Sequence, residues 1–199
     1  MPAGLTFDEA AHVYRLNGAA VPSVTQALQL IDSFAGVPLD VLERAREFGQ
    51  HVHRTVELDA RGELDEESLD PALAEYLAGW RLFLRERKAR VLASELRVCS
   101  RKLRYAGTLD ALVEIAGRLT LVDVKSGAVP ILTVGPQTAA YLYALRECWP
   151  SLSRSTLPPS LPRACVQLTP NSYQLVPLRD PRDWNVFLSA LNIHQWRNG

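Results

Sequence analysis

Residues 107–127, GTLDALVEIAGRLTLVDVKSG, form two apolar runs that each carry an aspartate. The runs are rich in Val, Leu and Ile and are separated by a Gly-containing turn, which is typical of consecutive β-strands. Asp110 and Asp123 each close a run, and Lys125 follows two residues after Asp123. Charged side chains on core strands are costly to bury without partners, so this segment predicts either a functional site or a buried ion pair.

Further strands extend the predicted sheet on both sides of this segment. VLASELRVCS, LRYAGTLDALVEIA and RLTLVDVKS predict a three-strand meander, and ACVQLTPNSYQLVPL predicts a later hairpin. Near the start, residues 5–22, LTFDEAAHVYRLNGAAVP, alternate apolar and polar residues around Asn17-Gly18. Asn and Gly tolerate the positive φ of a tight turn, so this stretch predicts a β-hairpin.

Helices are predicted between and after these strands. Each begins beside a capping residue or a proline, namely after Ser23, at Pro38, at Pro71, after Pro136 and after Asp180 or Asp183. The second covers residues 38–60, and the third ends near Arg90. The Pro/Ser-rich stretch WPSLSRSTLPPSLPR predicts a loop before the last hairpin.

These elements predict an α/β fold in which helices pack against a β-sheet. A chain of 199 residues is long enough for one well-buried core and short for two, so we expect a single domain over residues 1–199. Within it we expect an N-terminal hairpin and helix (1–36), a helical segment (37–92), the sheet core (93–180) and a C-terminal helix (181–199).

Composition narrows the class of protein. No apolar stretch approaches the roughly 20 residues of a membrane span, and the start lacks a signal peptide, so we expect a cytoplasmic protein without membrane partners. The three cysteines, Cys99, Cys148 and Cys165, are widely separated and form no CxxC pair, which argues against a disulfide framework, a zinc site or an iron-sulfur cluster. They are expected to be buried apolar residues.

The formal net charge is zero, but its distribution along the chain is uneven. Residues 1–80 carry 5 basic and 14 acidic side chains, whereas residues 81–128 carry 11 basic and 5 acidic ones. This basic segment predicts a positive field suited to phosphates, and Arg101, Lys102 and Arg104 are its candidate DNA-binding residues. The alternative is an exposed helix face and hairpin without a ligand.

Asp123 and Lys125 lie on one face of their strand because side chains alternate. If the neighbouring strand pairs with theirs, Asp110 brings a second carboxylate close to the first. Two close carboxylates repel unless one is protonated or a cation lies between them. A divalent ion such as Mg²⁺ or Mn²⁺ would resolve the repulsion, activate water and stabilise a phosphodiester under attack, with Lys125 orienting the water or neutralising charge. A structural ion pair is the alternative.

The order of these residues resembles the PD-(D/E)XK nuclease superfamily and, within it, the RecB-type, phage exonuclease-like branch. The resemblance rests on GxxD ending at Asp110, twelve residues, DxK, and then QxxxY with Gln137 and Tyr141. EFGQHVH places Gly49 four residues before His53, as in the RGxxxH pattern of that branch. The similarity runs from about residue 45 to 145, and FDEAAHVYRLNGAAVPSVTQAL resembles the amino-terminal stretch of phage-encoded members.

The resemblance implies a restriction-endonuclease-like mixed β-sheet core flanked by helices. It also implies catalytic roles for Asp110, Asp123 and Lys125, with both aspartates as metal ligands. His53 and the backbone carbonyl of Val124 are implied as further ligands of Mg²⁺ or Mn²⁺.

Other residues of the implied site are less uniquely matched. Glu95 matches an acidic position loosely, as a ligand or as a salt-bridge partner. His51 competes with His53, although the spacing from Gly49 favours His53. Gln137 and Tyr141 would line the site and touch DNA. Iron-sulfur members of the branch need four cysteines, so no cluster is expected.

We therefore expect a metal-dependent DNA nuclease, namely an exonuclease on single strands or duplex ends in phage or bacterial recombination, repair or replication. Its partner is DNA, with a recombinase, helicase or single-strand-binding protein as a further candidate partner. Two alternatives stay open at this point. One is a catalytically inactive relative that binds DNA or acts as a scaffold, and the other is an unrelated α/β domain with a buried ion pair.

Overall fold

The computed structural model of the chain describes residues 1–31, 38–153 and 156–198. The N-terminal segment forms a three-stranded antiparallel sheet of β1 (Leu5–Asp8), β2 (Val13–Leu16) and β3 (Ala19–Val21). The turn predicted at Asn17-Gly18 is confirmed, with φ of 52° and 83°. The predicted hairpin is nevertheless incomplete, because a further turn at residues 9–12 divides its first arm into β1 and β2.

Three helices connect this small sheet to the main one. They are α1 (Val24–Leu28), α2 (Leu39–Arg61) and α3 (Pro71–Glu86). The predicted cap of α1 is confirmed, because Ser23 Oγ accepts the Gln26 N–H at 3.0 Å and Gln26 Oε1 accepts the Ser23 N–H at 2.8 Å. The boundary predicted between residues 36 and 37 falls outside the described residues.

The remaining elements build the main sheet and cover it. They are β4 (Ala89–Ser100), β5 (Tyr105–Ile115), β6 (Arg118–Lys125), α4 (Ile131–Leu152), β7 (Arg163–Thr169), β8 (Ser172–Pro177) and α5 (Asp183–Asn198). The main sheet has the order β4-β5-β6-β7-β8, and every neighbouring pair is antiparallel except β6 and β7. The expected fold, a mixed sheet core flanked by helices, is confirmed.

Two element boundaries differ from the sequence prediction. Helix α3 ends at Glu86 rather than near Arg90, because Lys88 turns the chain at a φ of 48° and β4 begins at Ala89. Pro136 does not open α4, which begins five residues earlier at Ile131 and also contains Pro150, a residue predicted to lie in a loop. Residues 154 and 155 of that predicted loop fall outside the described residues.

The two faces of the main sheet carry separate apolar cores. On one face α1, α4 and α5 pack against side chains such as Val98, Leu112 and Leu121. On the other face α2 and α3 pack against Val113 and Val122. Cys99, Cys148 and Cys165 are buried, as predicted. In the part of the chain described, no helix is both long and apolar enough to span a bilayer.

Side chains of β4 and β5 alternate between the two faces of the sheet, but this alternation is interrupted at one pair of facing positions. Leu109 and Leu112 are three residues apart, yet both belong to the core beneath α4, whereas Ala111 belongs to the opposite core. In a regular strand, residues two apart would share a face. Leu96 and Ala93 repeat this spacing on β4, and the register pairs them with Leu109 and Leu112. Both strands therefore change phase together.

Glu95 and Asp110 lie opposite each other at this break. The register runs from Leu96↔Leu109 to Ser94↔Ala111. Glu95 has a φ of 49°, in the left-handed region that a non-glycine residue seldom adopts without compensation. The backbone is therefore irregular at the two acidic residues of the hairpin.

The position of Asp110 in β5 was predicted incorrectly. The sequence predicted that Asp110 ends its strand, but β5 continues on both sides of it. The half of β5 before Asp110 pairs with β4 and, at Ala106, forms an isolated parallel bridge with Ser23, whereas the β5–β6 ladder begins at Ala111↔Val122. What ends near Asp110 is therefore the pairing of β5 with β6, while β6 continues beside β7 to Lys125↔Gln167.

Gly107 allows helix α4 to approach β5. A β-carbon at Gly107 would lie 2.6 Å from Cε1 of Tyr141 and 3.2 Å from Cγ2 of Val24. The Tyr141 side chain is buried, so it would have to shift within a packed wall to admit that carbon. The close packing of Tyr141 and Val24 therefore explains why a glycine stands at the first position of the GxxD pattern.

We predict that Gly107→Ala destabilises the protein by roughly 1–3 kcal/mol, because the methyl group overpacks the contact with Tyr141. Chemical unfolding monitored by circular dichroism measures the change. Gly127→Ala is the matched control, since a β-carbon there meets nothing within 4 Å. Equal stability of the two variants would contradict the packing argument.

Candidate metal centre

Three side chains from three elements meet beside the strand break. Nitrogen or oxygen atoms of His53 (α2), Glu95 (β4) and Asp110 (β5) all lie within 4.8 Å of one another. His53 Nδ1 is 3.6 Å from Asp110 Oδ1. The three residues are partly buried at the base of a cleft of about 580 Å³. His51, the competing histidine, is exposed and does not line this cleft.

The electrostatics of Glu95 show that the cluster lacks a positive charge. Burial, followed by repulsion from Asp110 and Glu57, raises the pKa of Glu95 to about 8. Arg61 and Arg97 oppose this shift but do not cancel it. A cation between Glu95 and Asp110 would relieve this repulsion.

Asp123 and Lys125 form a buried ion pair next to this cluster. Lys125 Nζ is 2.7 Å from Asp123 Oδ2, and both side chains lie on one face of β6, as the alternation predicted. Burial raises the pKa of Asp123, and Lys125 opposes that rise. Burial by itself would lower the pKa of Lys125, but the carboxylates of Asp123 and Asp110 raise it overall. Both groups are therefore held as charged partners.

Asp110 connects the cluster to β6. Its Oδ2 accepts the backbone N–H of Val124 at 2.7 Å, a bond that occupies the place where the β5–β6 ladder has ended. The Val124 carbonyl, a predicted metal ligand, contacts Lys125 Nζ at 3.5 Å. The structure thus links Asp110 directly to the Asp123-Val124-Lys125 segment.

Asp123 has unused bonding capacity. Its side chain is 1% exposed, and apart from the Lys125 ammonium neither carboxylate oxygen has a hydrogen-bond donor among the described residues. It is not one of the three clustered groups, although Asp110 and His53 both influence its pKa. Asp123 therefore lies beside the cluster with buried oxygens that a further positive charge would satisfy.

Gln137 and Tyr141 form the wall of the cleft on the α4 side. Gln137 Nε2 donates to Tyr141 Oη at 3.2 Å, and both residues line the cleft with Asp110 and Lys125. The two residues therefore lie on one face of α4. Burial raises the pKa of Tyr141 well above its usual value, so its hydroxyl is a neutral hydrogen-bonding group.

Apart from His53, the residues with which α2 and the N-terminal sheet line the cleft were not predicted from the sequence. One stripe of α2 lines it at helical spacing, and Tyr14 from β2 reaches it and bonds to Thr108 at 2.7 Å. The α2 residues of this wall are Arg46, Gly49, Gln50, His53, Arg54 and Glu57. Their 3- and 4-residue spacing was a usable signal, but it is also that of an ordinary amphipathic helix.

The predicted DNA-binding residues of the β4–β5 turn are not part of this cleft. Lys102 and Arg104 line a separate groove, and Arg101 donates through Nη2 to the Ala3 carbonyl. Other basic residues of the central segment are paired with acidic ones, for example Arg81 with Asp59 and Arg97 with Glu9. The uneven charge along the sequence is therefore partly neutralised across the fold.

The donor chemistry of the cluster fits a hard divalent ion. Mn²⁺ readily accepts two carboxylates and one imidazole as ligands. Mg²⁺ prefers oxygen ligands, so the two carboxylates suit it. The raised pKa of Glu95 indicates missing positive charge, and the Asp123 carboxylate has room for a ligand besides Lys125. His53, Glu95 and Asp110 could thus hold such an ion, with Asp123 next to it.

Comparisons with known proteins place this site in a family. No curated protein matches the chain. The crystal structure of SSO0001 is similar at 12% identity and a TM-score of 0.38, covering 74% of this chain and 72% of that one. A family model of the PD-(D/E)XK nuclease superfamily matches residues 68–171, a region that includes Asp110, Asp123 and Lys125. Because this match spans more than half of the residues of the chain, the chain belongs to the PD-(D/E)XK nuclease superfamily.

Proposed function

We propose that this protein is a metal-dependent DNA exonuclease that hydrolyses single strands or duplex ends. Membership of the superfamily supports a nuclease that uses a divalent metal and takes DNA as its substrate. The observation that carries the metal site is the meeting of His53, Glu95 and Asp110 at the base of one cleft. Exonuclease action and the RecB-type branch rest on the resemblance described above, including the Gly49–His53 spacing.

Each residue of the site has a role in this proposal. His53, Glu95 and Asp110 hold the ion, and Asp123 adds a ligand through its unsatisfied oxygens. The ion, when bound, supplies positive charge that polarises the scissile phosphate and acidifies water. Asp110 also fixes Val124 through its backbone N–H, which sets the position of the neighbouring Lys125.

Lys125 is a cationic residue that lines the cleft together with His53, Glu95 and Asp110. Its ammonium stays protonated beside Asp123 and is partly exposed to the cleft. We assign it the stabilisation of negative charge that develops on the attacked phosphate. Gln137 and Tyr141 present neutral donors on the opposite wall, where they would contact the substrate strand.

From the resemblance to the RecB-type branch we also propose a biological role. The protein would act as a single nuclease domain in recombination, repair or replication, in the cytoplasm of bacteria or phage-infected cells. A recombinase, a helicase or a single-strand-binding protein is the proposed partner class.

Digestion of end-labelled DNA tests the activity. We expect cleavage of single-stranded or tailed linear DNA with Mg²⁺ or Mn²⁺, none with EDTA, and protection of circular DNA. His53 makes Mn²⁺ the better activator, because imidazole suits it more than Mg²⁺. Cleavage of circles would contradict the exonuclease assignment, and DNA binding without any cleavage would favour an inactive DNA-binding relative.

A second prediction concerns the metal ligands. Asp110→Asn and Glu95→Gln should each weaken Mn²⁺ binding by at least roughly 10–100-fold. That is the usual loss when a group that hydrogen-bonds to a metal ligand is removed, and these residues are ligands themselves. Isothermal titration with Mn²⁺ measures the affinity, and cleavage should fall in parallel. Glu114→Gln is a matched control on the strand of Asp110, since Glu114 does not line the cleft and lies 3.7 Å from Arg90. Unchanged Mn²⁺ affinity in both site variants would refute the assigned centre.

A third prediction separates Lys125 from the metal ligands. Lys125→Met should reduce cleavage by about 10²–10³-fold, the usual cost of losing one preorganised charge at a transition state. Mn²⁺ binding should persist, because the ammonium is not a ligand. Lys88→Met, at an exposed turn, is the control. Since the change leaves Asp123 unpaired, thermal unfolding must show a folded variant, and full activity in that variant would exclude the assigned role.

A further inference from the structure

A second groove of about 770 Å³ lies beside the catalytic cleft. It is bounded by the β4–β5 turn, the start of α1, the edge of the N-terminal sheet and the end of α5. Its polar lining consists mainly of basic side chains and amides, including Lys102, Arg104, His194, Gln26, Gln29 and Gln195.

The described residues that line the groove include cations but no carboxylate. By contrast, Glu57, Glu95 and Asp110 all line the catalytic cleft. Lys102 and Arg104 are exposed, and within the described chain neither side chain has an ion-pair partner. A concentration of unpaired cations in a concave surface attracts phosphates.

The turn that carries these cations is held in place by the rest of the fold. Glu147 accepts the backbone N–H groups of Arg101 and Lys102 at 2.8 and 3.1 Å. Gln195 Nε2 donates to the Leu103 carbonyl at 2.8 Å. Ligand binding therefore does not need to order this backbone, which reduces its entropic cost.

Only one ridge separates the groove from the cleft. Tyr14, Ser23 and Val24 line the cleft, while their chain neighbours Val13 and Pro22 line the groove. Strand β5 connects the two sites, because Arg104 immediately precedes it and Asp110 lies six residues further on. At about 3.3 Å per residue, the two sites are roughly 20 Å apart.

We propose that the groove binds the phosphate backbone of a single DNA strand whose other segment occupies the catalytic cleft. The proposal rests on the nuclease function proposed above. Lys102 and Arg104 neutralise phosphates, and the amides of Gln26 and Gln29 add hydrogen-bond donors. A single strand is the fitting ligand because it can bend over the ridge, whereas bending a duplex over so short a distance is costly.

The spacing of the sites sets a substrate length. Roughly 20 Å corresponds to about six nucleotides at 3.4 Å per step, and to fewer if the strand is extended. A trinucleotide in the cleft is too short to engage the groove fully, whereas a 20-nucleotide strand reaches it.

The test compares Lys102→Glu/Arg104→Glu with Arg118→Glu/Arg179→Glu, an equal charge reversal at exposed residues outside both sites. Fluorescence anisotropy with a labelled 20-nucleotide strand in EDTA measures binding without cleavage. We expect the groove variant to bind at least tenfold more weakly. We also expect its salt-dependence slope to fall by about 1.4, the share of two phosphate contacts on a single strand. Lys102→Gln/Arg104→Gln, a milder change, should show a smaller loss.

Cleavage provides the second readout. The groove variant should lose at least tenfold more activity on the 20-nucleotide strand than on a trinucleotide, and the control variant should lose none. Wild-type binding by the groove variant, or an equal loss in the control, would overturn the proposal. A duplex affected as strongly as the single strand would also overturn it. If the wild-type protein cleaves nothing with metal, the nuclease function fails, while the binding experiment still decides the fate of the groove.

Discussion

The site depends on the enforced proximity of two carboxylates, those of Glu95 and Asp110. They lie opposite each other where β4 and β5 both change phase, and burial together with repulsion from Asp110 and Glu57 raises the pKa of Glu95 to about 8. The fold tolerates a positive φ at Glu95 to place it there. Such strain and repulsion are compensated if a cation completes the site.

The surrounding elements each contribute one constraint to this arrangement. Helix α2 supplies His53 on a stripe that faces the cleft, and β6 supplies Asp123 and Lys125 as a neutralised pair. The Asp110 carboxylate accepts the Val124 N–H, so the group of His53, Glu95 and Asp110 is joined directly to the strand of the ion pair. Gly107 lets Tyr141 close the wall opposite α2. Together these contacts form one acidic cleft at the strand break, between the helices of the two cores.

The charge distribution separates two tasks. Within the proposed function, the acidic groups of the cleft would hold a divalent ion, and the basic groups of the adjacent groove would bind phosphates. Elsewhere, basic residues of the central segment pair with acidic residues of the N-terminal segment, as Arg81 does with Asp59 and Glu66. The N-terminal sheet and α1 form the ridge between the two sites, so under the same proposal this segment would shape the path of the substrate strand.

The sequence alone determined the strands and most helices, because alternation, the Asn17-Gly18 turn and the Ser23 cap are local signals. It also placed Asp123 and Lys125 on one face of β6, since side chains two apart on a regular strand must share a face. Only the tertiary structure decided that Glu95 joins His53 and Asp110, because a strand break at Glu95 and Asp110 overrides that alternation. It also decided that Lys102 and Arg104 lie in a groove of their own, since this depends on how α1 and α5 pack around the β4–β5 turn. Such long-range packing leaves no periodic trace in the chain.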